Sequence, residues 1–321
     1  MMWKVALDVA KYVAIVVVYD RLVKPRFVRR GKNPVKDHSP NPTQMQVVNR
    51  ALQKKKAVCI GINYTKTAHE LKGCINDARC IKTVLVSQYG FNDSDVKIIA
   101  DTEGFVYPTS QNIMGAISWL VEGCAPGDVL FFSYSGHGTN IKDTNNDEAD
   151  GRDEAIYTLD GAVIIDDVLQ AQLMQKIPKG VQLVCVFDCC HSGTIADLQY
   201  CYKYIPSSTD QFLLTQERTK EISGGGDIVV YSACLDPQTA ADSNFNGKWV
   251  KTPDGKMSLV WGEGNGAFTW FFLQVLKDNN YVISNDELLK KTATLLLQQK
   301  FSQEAQLTTT NTEMFKKQFT L

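Results

Sequence analysis

Val129-Leu130-Phe131-Phe132 and Val184-Cys185-Val186-Phe187 are unbroken apolar runs, and each leads directly into a polar, glycine-bearing turn. Continuous apolar runs of this length are expected of strands covered on both faces, as in a parallel sheet flanked by helices. The turn after the first is Ser135-Gly136-His137-Gly138; the turn after the second is Asp188-Cys189-Cys190-His191-Ser192-Gly193. Side chains at the carboxyl ends of neighbouring parallel strands face a common crevice. A histidine and a cysteine arriving there together read as a base and its nucleophile. A thiol attacks a carbonyl only as the thiolate and so needs a neighbour that takes its proton.

The surrounding pattern alternates in the same way from Ala57 onward. Strands are predicted at Ala57 to Ile62, Val96 to Ala100, Val129 to Ser133, Val181 to Phe187 and Ile228 to Ser232. Helices are predicted around Cys74 to Tyr89, Gln111 to Glu122, Asp167 to Ile177, Ala267 to Leu276 and Asn285 to Gln299. Such alternation predicts a mainly parallel sheet between helical layers. Residues 205–227, with Pro-Ser-Ser-Thr-Asp and Ser-Gly-Gly-Gly-Asp, read as an exposed flexible loop open to proteolytic nicking. No internal repeat is visible.

Three regions follow from composition. Residues 1–30 hold the uncharged run Tyr12 to Tyr19 and then Arg21, Lys24, Arg26, Arg29 and Arg30. The run is too short to span a bilayer, which needs about 20 apolar residues. A helix lying on a membrane and a short element packed on the catalytic domain both remain open for it. Asp8 interrupts the apolar stretch, which argues against a cleaved secretory signal. Residues 31–54 read as a linker, and residues 55–321 as the catalytic domain. The net charge of -1 carries no basic excess for nucleic acid. Nine cysteines, an odd number without framework spacing, indicate a reducing, cytoplasmic setting, with membrane association open through residues 1–30.

Four stretches together resemble type I metacaspases of the caspase-like cysteine peptidase clan: Gly61-Ile62-Asn63-Tyr64, Leu71 to Ala78, Tyr134 to Thr139 and Phe187 to Gly193. The resemblance covers residues 55–321 and implies a caspase-like three-layer sandwich. It implies Cys190 as nucleophile and His137 as base, with Cys189 a buried neighbour and backbone N–H groups near Cys190 and Gly138 forming an oxyanion hole. It implies cleavage after arginine or lysine, with a pocket from Cys74, Asp77, Ser135 and Asp188, and Asp242 as a weaker candidate. His38 and His69 are expected on the surface.

An acidic collection, Asp147, Glu148, Asp150, Asp153, Asp166, Asp167 and Asp197, surrounds the two motifs. Such loops are often only solvated, yet calcium takes several hard oxygen ligands at once. The resemblance to calcium-activated members places ligands at Asp153, Asp166, Asp167 and Asp197. A zinc site at residues 189–191 is disfavoured, because adjacent side chains do not readily converge on one tetrahedral ion. The expectation is a calcium-stimulated, monomeric cysteine endopeptidase acting on protein or peptide substrates. The competing expectations are an inactive homologue acting as a binding scaffold and a caspase-clan enzyme of different specificity.

Overall fold

The computed structural model describes residues 53–142, 152–189, 195–196, 198–207, 211–217, 224–233, 242–243, 248–251, 257–260, 265–301 and 303–321. The amino-terminal segment and nearly all of the linker, with His38, lie outside them. So do Cys190, His191, Asp147, Glu148, Asp150 and Asp197, together with the side chain of Asp242.

In chain order the elements are β1 (Lys55–Gly61), α1 (Cys74–Gln88), β2 (Val96–Ala100), α2 (Ser110–Val121), β3 (Val129–Ser135), β4 (Gly138–Lys142), β5 (Arg152–Tyr157), β6 (Val163–Ile165), α3 (Asp166–Gln172) and β7 (Gln182–Asp188). They continue with β8 (Tyr200–Tyr204), β9 (Phe212–Glu217), β10 (Asp227–Ser232), β11 (Asp242–Ser243), β12 (Lys248–Lys251), β13 (Met257–Val260), β14 (Asn265–Gly266), α4 (Ala267–Asp278), α5 (Asn285–Gln298), β15 (Gln306–Thr309) and α6 (Glu313–Lys316).

The main sheet runs β2-β1-β3-β7-β10-β15-β8-β9. Its first five strands are parallel, and β15, β8 and β9 extend it antiparallel. Because side chains alternate along a strand, each parallel strand feeds two cores. Ala57, Cys59, Phe131, Val184, Val186, Val229 and Tyr231 pack with α1, α4 and α5. Val58, Ile60, Leu130, Phe132, Leu183, Cys185, Phe187 and Val230 pack with α2 and α3 on the opposite face. The result is the expected three-layer α/β sandwich. Among the described residues no helix is long and apolar enough to cross a membrane.

Two local expectations need correction. The loop at 205–227 contains a strand: β9 pairs with β8 and forms the outer edge of the sheet. Its apolar core, Phe212-Leu213-Leu214, is only three residues long and is masked in sequence by polar flanks. The helix expected from Asp167 to Ile177 ends at Gln172, and a single 3₁₀ turn, Met174–Lys176, completes it before Pro178. Proline disfavours helical backbone in the residue before it, which limits how far the helix can run.

Candidate active site

The parallel register sets the site. Ser135 is level with Gly61 on one side and with Asp188 on the other, and Gly61 is level with Ala100. The last residues of β2, β1, β3 and β7 thus form one row at the carboxyl edge of the sheet. His137 follows two residues after that row, and Gly136 N donates back to Asp188 O at 3.3 Å. A methyl group on Gly136 would stand 2.7 Å from the Tyr134 hydroxyl and 3.1 Å from that of Tyr64. Glycine is what lets the chain turn here.

His137 is held on several sides. Its backbone N donates to Tyr64 Oη (3.1 Å), and its carbonyl accepts from Tyr134 Oη (2.7 Å) and from Tyr157 N (3.0 Å). The ring lies 4.7 Å from the Tyr64 ring, centroid to centroid. Its Nε2 donates to the backbone carbonyl of His69 at 2.8 Å. A carbonyl only accepts, so the neutral ring carries its proton on Nε2 and leaves Nδ1 with the lone pair a base requires. Tyr64 and Tyr134 share a hydroxyl contact of 3.0 Å, and burial pushes both phenols well above their usual range.

The acidic positions converge beside this row. Asp77, in the first turn of α1, is fully buried, and Asp188 is 5% exposed. Asp77 Oδ2 accepts from Ser135 Oγ (2.6 Å), Oδ1 accepts from Asn265 Nδ2 (2.9 Å), and Gly266 N lies 3.1 Å from both oxygens. Asp188 Oδ2 accepts from Thr269 N (2.8 Å), in the first turn of α4, where the helix end favours negative charge. Burial and the neighbouring Asp188 hold the Asp77 carboxyl well above the usual carboxylate range, against the lowering donors Ser135, Asn265 and Gly266.

Of the sequence-predicted pocket residues, Asp77, Ser135 and Asp188 are brought together, and Cys74 is buried one helical turn before Asp77. Cys189 is fully buried in the core on the α2 side, the burial expected of it. His69 is exposed, also as expected, but its backbone carbonyl orients His137. Sequence reasoning assigned no role to Tyr64, Asn265, Gly266 or Thr269. Tyr64 sits inside a quoted motif, whereas the other three have no local signal, because their parts are played largely by backbone amides far along the chain.

Three of the four acidic positions proposed for a cation lie at one end of the small sheet β4-β5-β6. Asp153 is on β5, and Asp166 and Asp167 open α3 directly after β6. Ala155, two residues after Asp153, pairs with Ile165, the residue directly before Asp166. Asp153 and Asp166 are 2% and 3% exposed. Among the described residues no group of three or more His, Cys, Asp or Glu side chains is placed to hold a metal ion.

The family model for the metacaspase, peptidase C14 domain matches residues 55–199, which hold every candidate site residue named so far except Asn265, Gly266 and Thr269 and the weaker candidate Asp242. Metacaspase-1 of Arabidopsis thaliana is 36% identical over 233 residues, covering 70% of this chain and 59% of that protein. The chain thus spans less than two thirds of the plant relative. Metacaspase-1 of Scheffersomyces stipitis is 31% identical over 313 residues, covering 83% of this chain and 73% of that protein. Among solved structures, protein GSU0716 from Geobacter sulfurreducens is 25% identical, with a TM-score of 0.57 over 82% of this chain and 97% of that one.

Proposed function

Since this chain belongs to the metacaspase family, we propose that it is a cysteine endopeptidase cleaving proteins and peptides after arginine or lysine, with Cys190 as nucleophile and His137 as base. The observation that carries this reading is the row Ser135↔Asp188: His137 follows β3 by two residues, and Cys190 follows β7 by two in the sequence. His137 Nδ1 takes the thiol proton as the sulfur attacks the scissile carbonyl carbon. It then returns that proton to the leaving amine, and water hydrolyses the thioester. Backbone N–H groups near Cys190 and Gly138 serve the oxyanion. Asp77 and Asp188 supply the negative charge that a guanidinium or ammonium requires, with Ser135 and Cys74 beside them.

Calcium is the proposed activator, held by Asp153, Asp166, Asp167 and Asp197. It would supply the positive charge that offsets these carboxylates. The chain's own link to the base is β5, which carries Asp153 at one end and at the other Tyr157, whose N–H donates to His137 O. The enzyme is proposed to act as a monomer in a reducing, cytoplasmic compartment; the seven described cysteines carry thiols, in keeping with that setting.

The test is a fluorogenic peptide series with arginine, lysine or aspartate before the scissile bond, assayed with calcium and with chelator. Wild type should cut the basic peptides only and need calcium, while Cys190→Ala should cut none. Activity that survives in Cys190→Ala, or a preference for aspartate, would replace this reading. Absence of cleavage in calcium-loaded wild type would favour the scaffold.

A further inference from the structure

Asp101 is the residue after β2, 8% exposed, one position beyond the row that ends β1, β2, β3 and β7. Its Oδ1 accepts from Asn63 N at 2.7 Å, and its Oδ2 accepts from Thr65 N at 2.9 Å and Thr65 Oγ1 at 3.2 Å. One carboxylate thus bridges the residues on either side of Tyr64. Tyr64 has φ of +50°, a left-handed conformation that bulky residues seldom adopt. This is the residue whose ring lies against His137 and whose hydroxyl accepts from His137 N.

The chain beyond Tyr64 folds back on the same turn. Thr67 N and Oγ1 both donate to Tyr64 O (3.1 and 2.7 Å), His69 N donates to Thr67 Oγ1 (3.1 Å), and Leu71 N returns to Asn63 O (2.7 Å). At the tip of this closed loop the His69 carbonyl receives His137 Nε2. The aromatic wall and the carbonyl that fixes the imidazole therefore hang from one turn. The amides of that turn are fixed by Asp101.

The geometry points to Asp101 as a positioning residue for the catalytic histidine, acting through Tyr64 and the His69 carbonyl. This rests on the reading of His137 as the base. Hydrogen bonds to a carboxylate are stronger than neutral ones, and without them the left-handed Tyr64 is free to relax. The His69 carbonyl would move with it. A displacement of about 1 Å at a reacting group can cost about 100-fold in rate.

The experiment is a double-mutant cycle on the full chain, assayed with the arginine peptide and calcium: wild type, Asp101→Asn, His137→Ala and the double variant. The amide introduced by Asp101→Asn has the shape of the carboxylate but turns an NH₂ toward a backbone N–H. Asp101→Asn should lower kcat by about 10- to 100-fold and leave KM within about twofold, because the substrate pocket is built from other residues. The double variant should be no slower than His137→Ala alone, since a misplaced base and a missing base remove the same step. Multiplying losses, or wild-type kcat in folded Asp101→Asn, would overturn the role. Should Asp101→Asn not fold, Asp101→Glu keeps the charge but moves it by one methylene. It should lose kcat at unchanged KM, and wild-type kcat there is equally fatal. Wild-type activity in His137→Ala would instead remove the base itself, and this role with it.

Discussion

Gly266 stands between Asp77 and Asp188, the two acids of the proposed pocket. A methyl on it would lie 2.4 Å from Asp188 Oδ2 and 2.7 Å from Asp77 Oδ2, so Gly266→Ala must push the carboxylates apart. The expected result is a KM for arginine peptides raised about tenfold or more, equivalent to about 1.4 kcal/mol of binding, with the rate of Cys190 alkylation by iodoacetamide unchanged. An unchanged KM would show that the acids do not meet the substrate. Asp77 adds a pH dependence. Its proton is retained well above the ordinary value of 3.8 because the site is buried and Asp188 is near. Between that ordinary value and the raised one, the native protein binds a proton that the unfolded chain has lost. Stability therefore falls as pH rises through this window, while affinity for a cationic side chain improves. KM for the arginine peptide should drop as pH rises beyond the ordinary carboxylate range, and should do so less in Asp77→Asn; a flat profile in wild type would contradict it. Asp77, Ser135, Asp188 and His137 were picked out by the motif stretches that resemble metacaspases, each beside a strand or helix end. The sequence could not expose Asn265, Gly266 or Thr269, whose contribution depends on docking across 188 residues from Asp77 to Asn265 and 81 from Asp188 to Thr269.

Among the elements, the five parallel strands were legible because both of their faces are buried and their apolar runs are continuous. The short antiparallel additions were not. β4, β5 and β6 mix polar and apolar residues, β9 hides in polar flanks, and β15, Gln306–Thr309, holds a single aliphatic residue yet is fully enclosed between β10 and β8. The small sheet is where the proposed calcium dependence would reach the base, because β5 joins Asp153 to Tyr157 and hence to the His137 carbonyl. Asp166→Ala removes one buried carboxylate from that end. It should move the calcium midpoint of activation at least about tenfold higher, since few oxygens remain to replace the ion's water, with little change in maximal rate. A calcium titration of peptidase activity measures this. An unshifted midpoint would reduce the acidic end of the sheet to a structural role.

At the scale of the molecule, strand alternation divides one sheet between two cores, and the core on the α1 side is closed by residues 314–321. Phe319 is 2% exposed and meets Tyr89, Tyr231 and Phe272 at ring distances of 5.8, 6.0 and 5.9 Å. Lys55 Nζ ties Tyr89 O to Leu321 O, 2.7 Å from each. Phe319→Ala should cost about 3–5 kcal/mol, the usual range for a buried phenylalanine, read as a lower urea midpoint at unchanged slope. A loss under about 1 kcal/mol would mean that this corner repacks freely. The same long-range closure governs the pocket. Asp77 and Asp188 precede Asn265, Gly266 and Thr269, which organise them, in the chain. During ribosomal synthesis the segments carrying His137 and Cys190 emerge before the donors that set the two acids in place. Under the proposed function a nascent chain would therefore bear its nucleophile without a finished recognition pocket, and competence to cut would arrive only once the start of α4 has left the ribosome.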